Sequence, residues 1–189
     1  MKKIPTIFVR DWNGDRSKVT QERNPECDWV FRGEGIATVK LDGTACLIQD
    51  GVLYCRYDAK NGKPAPENFV PAQDEADPES GHWPGWVPAG NDPQYKWQRS
   101  AYENSKILTE LFADGTYEAC GPHFQGNPEG LEKDVLLRHG LHKYVGVPTE
   151  FEDLKEFLSK LDIEGLVWHH PDGRMAKIKK KDFGLKRKP

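Results

Sequence analysis

Two Asp-Gly dipeptides, each set between extended apolar runs, constrain this chain more than any other feature. Asp50-Gly51 separates Ala45-Cys46-Leu47-Ile48 from Val52-Leu53-Tyr54-Cys55. Asp172-Gly173 separates Leu166-Val167-Trp168-His169-His170 from Met175-Ala176-Lys177-Ile178-Lys179. Asp-Gly supplies the positive backbone angles of a tight hairpin turn, so each pair predicts two antiparallel strands in a defined register. The first hairpin places Ile48 opposite Leu53, Cys46 opposite Cys55 and Ala45 opposite Arg56. In the second, a two-residue turn places Trp168 opposite Lys177 and Leu166 opposite Lys179. Opposed residues share a face and side chains alternate, so Glu164, Lys177 and Lys179 are expected on one side of the sheet. A three-residue loop would reverse that assignment.

A third extended run, Gly35-Ile36-Ala37-Thr38-Val39, ends in Lys40-Leu41-Asp42-Gly43. A lysine at the end of a buried strand either snorkels to solvent or becomes an amine nucleophile. Further short strands are expected at Ile7-Phe8-Val9, Trp29-Val30-Phe31 and Tyr144-Val145-Gly146-Val147. Thr116-Tyr117-Glu118-Ala119-Cys120-Gly121 reads as another, with Glu118 in its middle, a position that a carboxylate tolerates when paired or functional. Capping boxes at Ser100–Glu103 and Thr149–Glu152 predict two helices. Ile107, Leu108, Leu111 and Phe112 would line the first, closed by Gly115, and Leu154, Phe157, Leu158 and Leu161 the second. Residues 127–140 read as a short helix using Leu131, Val135 and Leu136. Prolines and acids crowd residues 61–98, which excludes a helix there and predicts a packed surface excursion or a binding element. The class is therefore α+β, with antiparallel sheets and peripheral helices in a single domain over residues 1–189.

The 189 residues suffice for one domain with a substantial core. No apolar run approaches the roughly 18 residues of a membrane-spanning helix, and Met1-Lys2-Lys3-Ile4-Pro5 leads into no signal-peptide core, so a cytoplasmic protein is expected. Cys27, Cys46, Cys55 and Cys120 lack metal-binding spacing and are expected to be free thiols. Net charge is −3, yet residues 180–189 form a basic tail suited to a polyanion or to simple solvation.

In order, Lys40-Leu41-Asp42-Gly43, Arg56, Tyr117-Glu118-Ala119-Cys120-Gly121, Glu164-Gly165-Leu166-Val167 and Lys177-Ile178-Lys179 resemble the motifs of the covalent nucleotidyltransferase superfamily of polynucleotide ligases and capping enzymes. Val39 and Thr44 around the lysine, with Gly121-Pro122 and Gly126-Asn127-Pro128, make small ATP-dependent RNA ligases the best resemblance. Each motif is short, but five in order make chance a poor explanation. The resemblance implies an ATP-grasp-like nucleotidyltransferase domain in which Lys40 attacks the α-phosphorus of ATP, with Lys177 and Lys179 neutralising phosphate charge. It implies nucleotide contacts from Val39, Asp42, Gly43, Arg56, Glu118 and Glu164, and Mg2+ (or Mn2+) held by Glu164 and Glu118. Phe124 and Tyr144 are the candidates for stacking on the purine. The implied partner is RNA bearing 5′-phosphate and 3′-hydroxyl ends, with no membrane and no protein partner. Few residues follow Lys179, so the extra C-terminal domain usual in the family is expected to be missing. A GTP-using capping enzyme or a DNA ligase shares the same covalent step. An inactive RNA-binding module is a rival of another class, though all five motif positions carry chemically competent residues.

Overall fold

The computed structural model describes residues 2–60, 63–78, 80–106 and 113–188. In chain order its elements are β1 (Phe8–Arg10), β2 (Val19–Arg23), α1 (Asp28–Phe31), β3 (Ile36–Lys40), β4 (Thr44–Gln49), β5 (Val52–Ala59), β6 (Val70–Pro71) and β7 (Trp83–Pro88). There follow α2 (Lys96–Lys106), β8 (Gly115–Cys120), β9 (Val135–Arg138), β10 (Lys143–Tyr144), α3 (Phe151–Ser159), β11 (Gly165–His169) and β12 (Met175–Lys179). The chain divides into two compact units, one comprising Met1–Lys3 and Asp42–His139, the other Ile4–Leu41 and Gly140–Pro189.

The first unit is built on an antiparallel sheet with the order β6-β7-β5-β4-β8-β9. The β4–β5 hairpin has the expected register, with Cys46 opposite Cys55 and Ile48 opposite Leu53. Asp50 and Gly51 both have positive φ, 50° and 73°, as a two-residue turn matched to strand twist requires. Both cysteines are fully buried free thiols in a core with Ile48, Leu53, Val87, Tyr95, Tyr117 and Leu136. The proline-rich stretch is more than a surface excursion, because β7 pairs with β5 along its length. The Pro84 carbonyl accepts from Ala72 N–H, whereas Ala89 N–H donates to the Leu53 carbonyl. Backbone groups alternate along a strand, so the missing N–H groups of Pro84 and Pro88 face away from β5, where the sheet continues only as the two-residue β6.

Two expected helices in this unit change. Residues 127–140 contain no helix; Val135–Arg138 is a strand paired with β8. Helix α2 starts at Lys96, after a 3-10 turn whose cap, Asp92, accepts from Gln94 N–H, so Ser100 lies inside the helix rather than capping it. Ile107, Leu108, Leu111 and Phe112 lie outside the described residues.

The second unit carries a sheet with the order β10-β3-β11-β12 and the small β1–β2 pair. Its core holds Ile7, Phe8, Trp29, Val30, Ala37, Leu154, Leu158, Leu166, Trp168, Ala176 and Ile178. Trp29-Val30-Phe31 is one turn of α1 rather than a strand, entered through a 3-10 turn capped by the Asn24 side chain. The strand expected at 144–147 shortens to Lys143–Tyr144. Helix α3 buries Leu154 and Leu158 as its spacing predicts, but its capping box does not form: the N-cap is Glu150 rather than Thr149, and Glu152 accepts from Gln21 Nε2 instead. The basic C-terminal stretch begins as a packed 3-10 turn, Lys180–Phe183, in which Lys180, Asp182 and Phe183 are buried.

Candidate active site

Strands β3, β11 and β12 bring the candidate lysines onto one face of the second unit. Gly165 pairs with Lys40 on one side and Lys179 on the other, and Val167 pairs with Thr38 and Lys177. Opposed residues share a face, so Lys40 and Lys179 form one row across the sheet and Thr38 and Lys177 the next. Val39 faces the other way, packing against this unit's core, and its N–H donates to the His142 carbonyl at 2.8 Å.

The β11–β12 register differs by one residue from the two-residue-turn reading. Leu166 opposes Ile178 and Trp168 opposes Ala176, and the His170 N–H bonds to Arg174 around a three-residue loop. The loop is braced from within: Asp172 Oδ1 accepts from Arg174 N–H, and Asp172 N–H donates to His170 Nδ1. By alternation Glu164 therefore does not share the face of Lys177 and Lys179. Its carboxylate nonetheless meets Lys40 and Lys179 from the position just before β11.

Lys40 Nζ donates to Glu164 Oε2 at 2.5 Å, and Lys179 Nζ pairs with Glu164 Oε1 at 2.6 Å. Burial alone would push the Glu164 carboxyl up, but attraction and hydrogen bonds from Lys40 and Lys179 outweigh it and hold the group below its ordinary range. Lys177 shows the opposite balance. Burial, followed by repulsion from Lys179 and Lys40, pushes its ammonium down to about 8, against a smaller upward pull from Asp182. Buried Asp182 organises this strand end, accepting from Lys179 N–H and pairing with Arg10, each at 2.8 Å. Lys40, Lys177 and Lys179 thus share one face, with Glu164 bridging the first and the last, a concentration of positive charge suited to phosphate.

In the first unit, Asp42 N–H donates to Glu129 Oε1 at 3.0 Å and Gly43 N–H to Glu118 Oε1 at 3.2 Å. Gly43 has no room for a side chain; a Cβ there would lie 2.1 Å from the Ala119 carbonyl oxygen. Glu118 is 8% exposed and bonds through Oε2 to His139 Nε2 at 2.8 Å. Arg56 pairs with Asp58 at 2.9 Å and lies over the Trp86 ring.

The two aromatic candidates lie in different units. Phe124 is 4% exposed in the first unit's core, and Tyr144 meets Phe157 edge-on in the second. Sequence reasoning missed Asp182 and the pairing of His139 with Glu118. A short-range signal existed for Asp182, an acid three residues after Lys179. His139 had none, because its position depends on the β8–β9 pairing.

Among the described residues no group of three or more His, Cys, Asp or Glu is arranged to hold a metal ion. Mg2+ needs no such cage, because it takes one or two carboxylates together with substrate phosphate oxygens and water. Glu164 fits that requirement as a hard oxygen donor whose two oxygens already hold cationic partners.

No protein-family model matches the chain. It is similar to proteins named RNA ligase 1. The rat protein (Rattus norvegicus) is 28% identical over an alignment covering 97% of this chain and 81% of the relative. The mouse protein (Mus musculus) is 28% identical over 97% and 80%. The zebrafish protein (Danio rerio) is 29% identical over 98% and 81%. Because the alignments cover nearly the whole chain, the similarity to RNA ligases runs through both compact units rather than through one motif.

Proposed function

We propose that this chain is an ATP-dependent RNA ligase that joins RNA 5′-phosphate and 3′-hydroxyl ends through a lysyl-AMP intermediate on Lys40. The observation that carries this reading is the convergence of Lys40 and Lys179 on Glu164, with Lys177 in the adjacent row. The similarity to proteins named RNA ligase 1 supports RNA as the substrate.

In the first step Lys40, after losing a proton, leaves Glu164 and attacks the α-phosphorus. A P–N bond forms and the P–O bond to pyrophosphate breaks. In the second, an oxygen of the RNA 5′-phosphate attacks the same phosphorus, the P–N bond breaks and Lys40 is regenerated. In the third, an RNA 3′-hydroxyl attacks the 5′-phosphate and AMP departs. Every step moves a phosphoryl centre through a highly charged transition state, so positioning and neutralisation are the protein's main contributions. Lys177 and Lys179 supply the neutralisation. Asp42, Gly43, Arg56 and Glu118 are the proposed nucleotide contacts, whereas Val39 packs against the core. Mg2+ (or Mn2+), held by Glu164, would supply further neutralisation of pyrophosphate.

The test is a sealing assay. RNA with a 5′-phosphate and a 3′-hydroxyl, incubated with the protein, ATP and Mg2+, should yield a longer or circular product. The same RNA with a 5′-hydroxyl should not. Product from the 5′-hydroxyl strand, or sealing without nucleotide by protein freed of bound AMP, would contradict the mechanism.

A further inference from the structure

We infer that His139 is a positioning residue for nucleotide binding, acting through Glu118, and that this pair lets the protein favour ribose over 2′-deoxyribose in its nucleotide. The inference rests on the ligase reading, in which Glu118 is a nucleotide contact. The geometry is contained within the first unit. His139 follows β9, and its N–H extends the β8–β9 ladder by donating to the Thr116 carbonyl. That fixes its backbone beside β8. Its ring then bridges two residues on the same face of β8, with Nδ1 3.0 Å from Thr116 Oγ1 and Nε2 2.8 Å from Glu118 Oε2. The Thr116 hydroxyl can donate or accept by rotating, so Nδ1 is satisfied while Nε2 donates to the carboxylate.

Glu118 is consequently held at both oxygens. Oε1 accepts from Gly43 N–H, within the Lys40-Leu41-Asp42-Gly43 motif, and Oε2 accepts from His139. Each carboxylate oxygen has two acceptor positions, so one on each remains after these bonds. A carboxylate fixed in this way, with acceptor capacity left over, suits a ribose hydroxyl, which donates one hydrogen bond. A carboxylate free to rotate would lose orientational entropy on making the same contact. His139 and Gly43 remove that cost. A sugar lacking the 2′-hydroxyl leaves the held carboxylate with an unmet acceptor, the arrangement from which a binding site draws its discrimination.

The experiment measures lysyl-AMP formation by intact mass as a function of ATP and of 2′-deoxy-ATP, for the wild-type protein and its variants. Wild type should prefer ATP. In His139→Ala, half-saturation for ATP should rise about tenfold, the scale of one charge-assisted hydrogen bond, and the preference over 2′-deoxy-ATP should fall toward unity. The rate at saturating ATP should stay within a few-fold of wild type. His139→Gln, whose amide can donate from nearly the Nε2 position, should retain most of the preference. Introduced into Glu118→Gln, His139→Ala should add little, because both act on one contact. A residue that merely stabilised the fold would lower the melting temperature and affect both nucleotides alike. A wild-type protein that uses ATP and 2′-deoxy-ATP equally would overturn the inference and leave the ligase reading intact. An unchanged nucleotide preference in His139→Ala would do the same. If His139→Ala fails to fold, Thr116→Val removes the other anchor of the ring and decides the matter by the same ratio. A wild-type protein that forms no adduct with any nucleotide overturns the ligase reading itself, and this inference with it.

Discussion

At the scale of single residues, the informative group is Lys177. Its ammonium is pushed down to about 8, with burial as the leading cause. Below that pH the lysine is charged in both the folded and unfolded protein, and the folded state bears the full cost of a crowded, half-buried cation. Between about 8 and the ordinary 10.5 the folded protein has released a proton that the unfolded chain still holds, so stability rises with pH through that window. Lys177→Met removes the cost. At pH 7 it should stabilise the protein by up to roughly 3 kcal/mol, and the gain should shrink as pH approaches the upper end of the window. The same substitution should cut adduct formation by orders of magnitude, because a cation proposed to meet phosphate is gone. Thermal melts at both ends of the window, with adduct assays on the same samples, check the pair of effects. Equal stability of variant and wild type at pH 7 would mean that Lys177 carries no such strain.

At the scale of elements, the β3–β11–β12 arrangement depends on Gly165. A Cβ there would lie 2.1 Å from the Ile178 carbonyl oxygen, so Gly165→Ala must part the central strand from its neighbour. The expected cost is about 1–3 kcal/mol of stability, and adduct formation should fall further than stability because Lys40, Glu164 and Lys179 all depend on that row. Chemical denaturation and intact mass of the variant test this, and wild-type values in both would contradict it. The β4–β5 hairpin was legible because Asp50-Gly51 admits a two-residue turn that suits the strands on either side. The β11–β12 register was not, since the same dipeptide lies in a three-residue loop stabilised by Asp172, His170 and Arg174. Leu131, Val135 and Leu136 suit a helix, but pairing of Val135–Arg138 with β8 prevailed over local pattern. The five motifs named the candidate residues without their geometry. Lys40 and Glu164 are far apart in sequence, and their contact follows from the β3–β11 pairing.

At the scale of the whole molecule, a net charge of −3 means that attraction to the proposed RNA substrate must be local. The C-terminal basic stretch divides by role. Lys180 is buried, with its ammonium held by the Leu161 and Arg187 carbonyls, and Arg187 pairs with Asp162 at 3.5 Å. Lys181, Lys186 and Lys188 are exposed. Changing those three to glutamine should weaken RNA binding and lower the salt slope by about 0.7 for each single-strand phosphate that the variant no longer neutralises, with adduct formation largely unchanged. Binding titrations across a salt series measure the slope, and a wild-type slope would reduce these lysines to solvation. The central claim is narrower and is tested by weighing the intact protein. Freshly purified protein free of AMP, incubated with ATP and Mg2+, should gain the mass of one AMP, mapped by peptide sequencing to Lys40 and absent in a folded Lys40→Ala variant. No adduct, an adduct formed with GTP alone, or an adduct on Lys177 or Lys179 would contradict it.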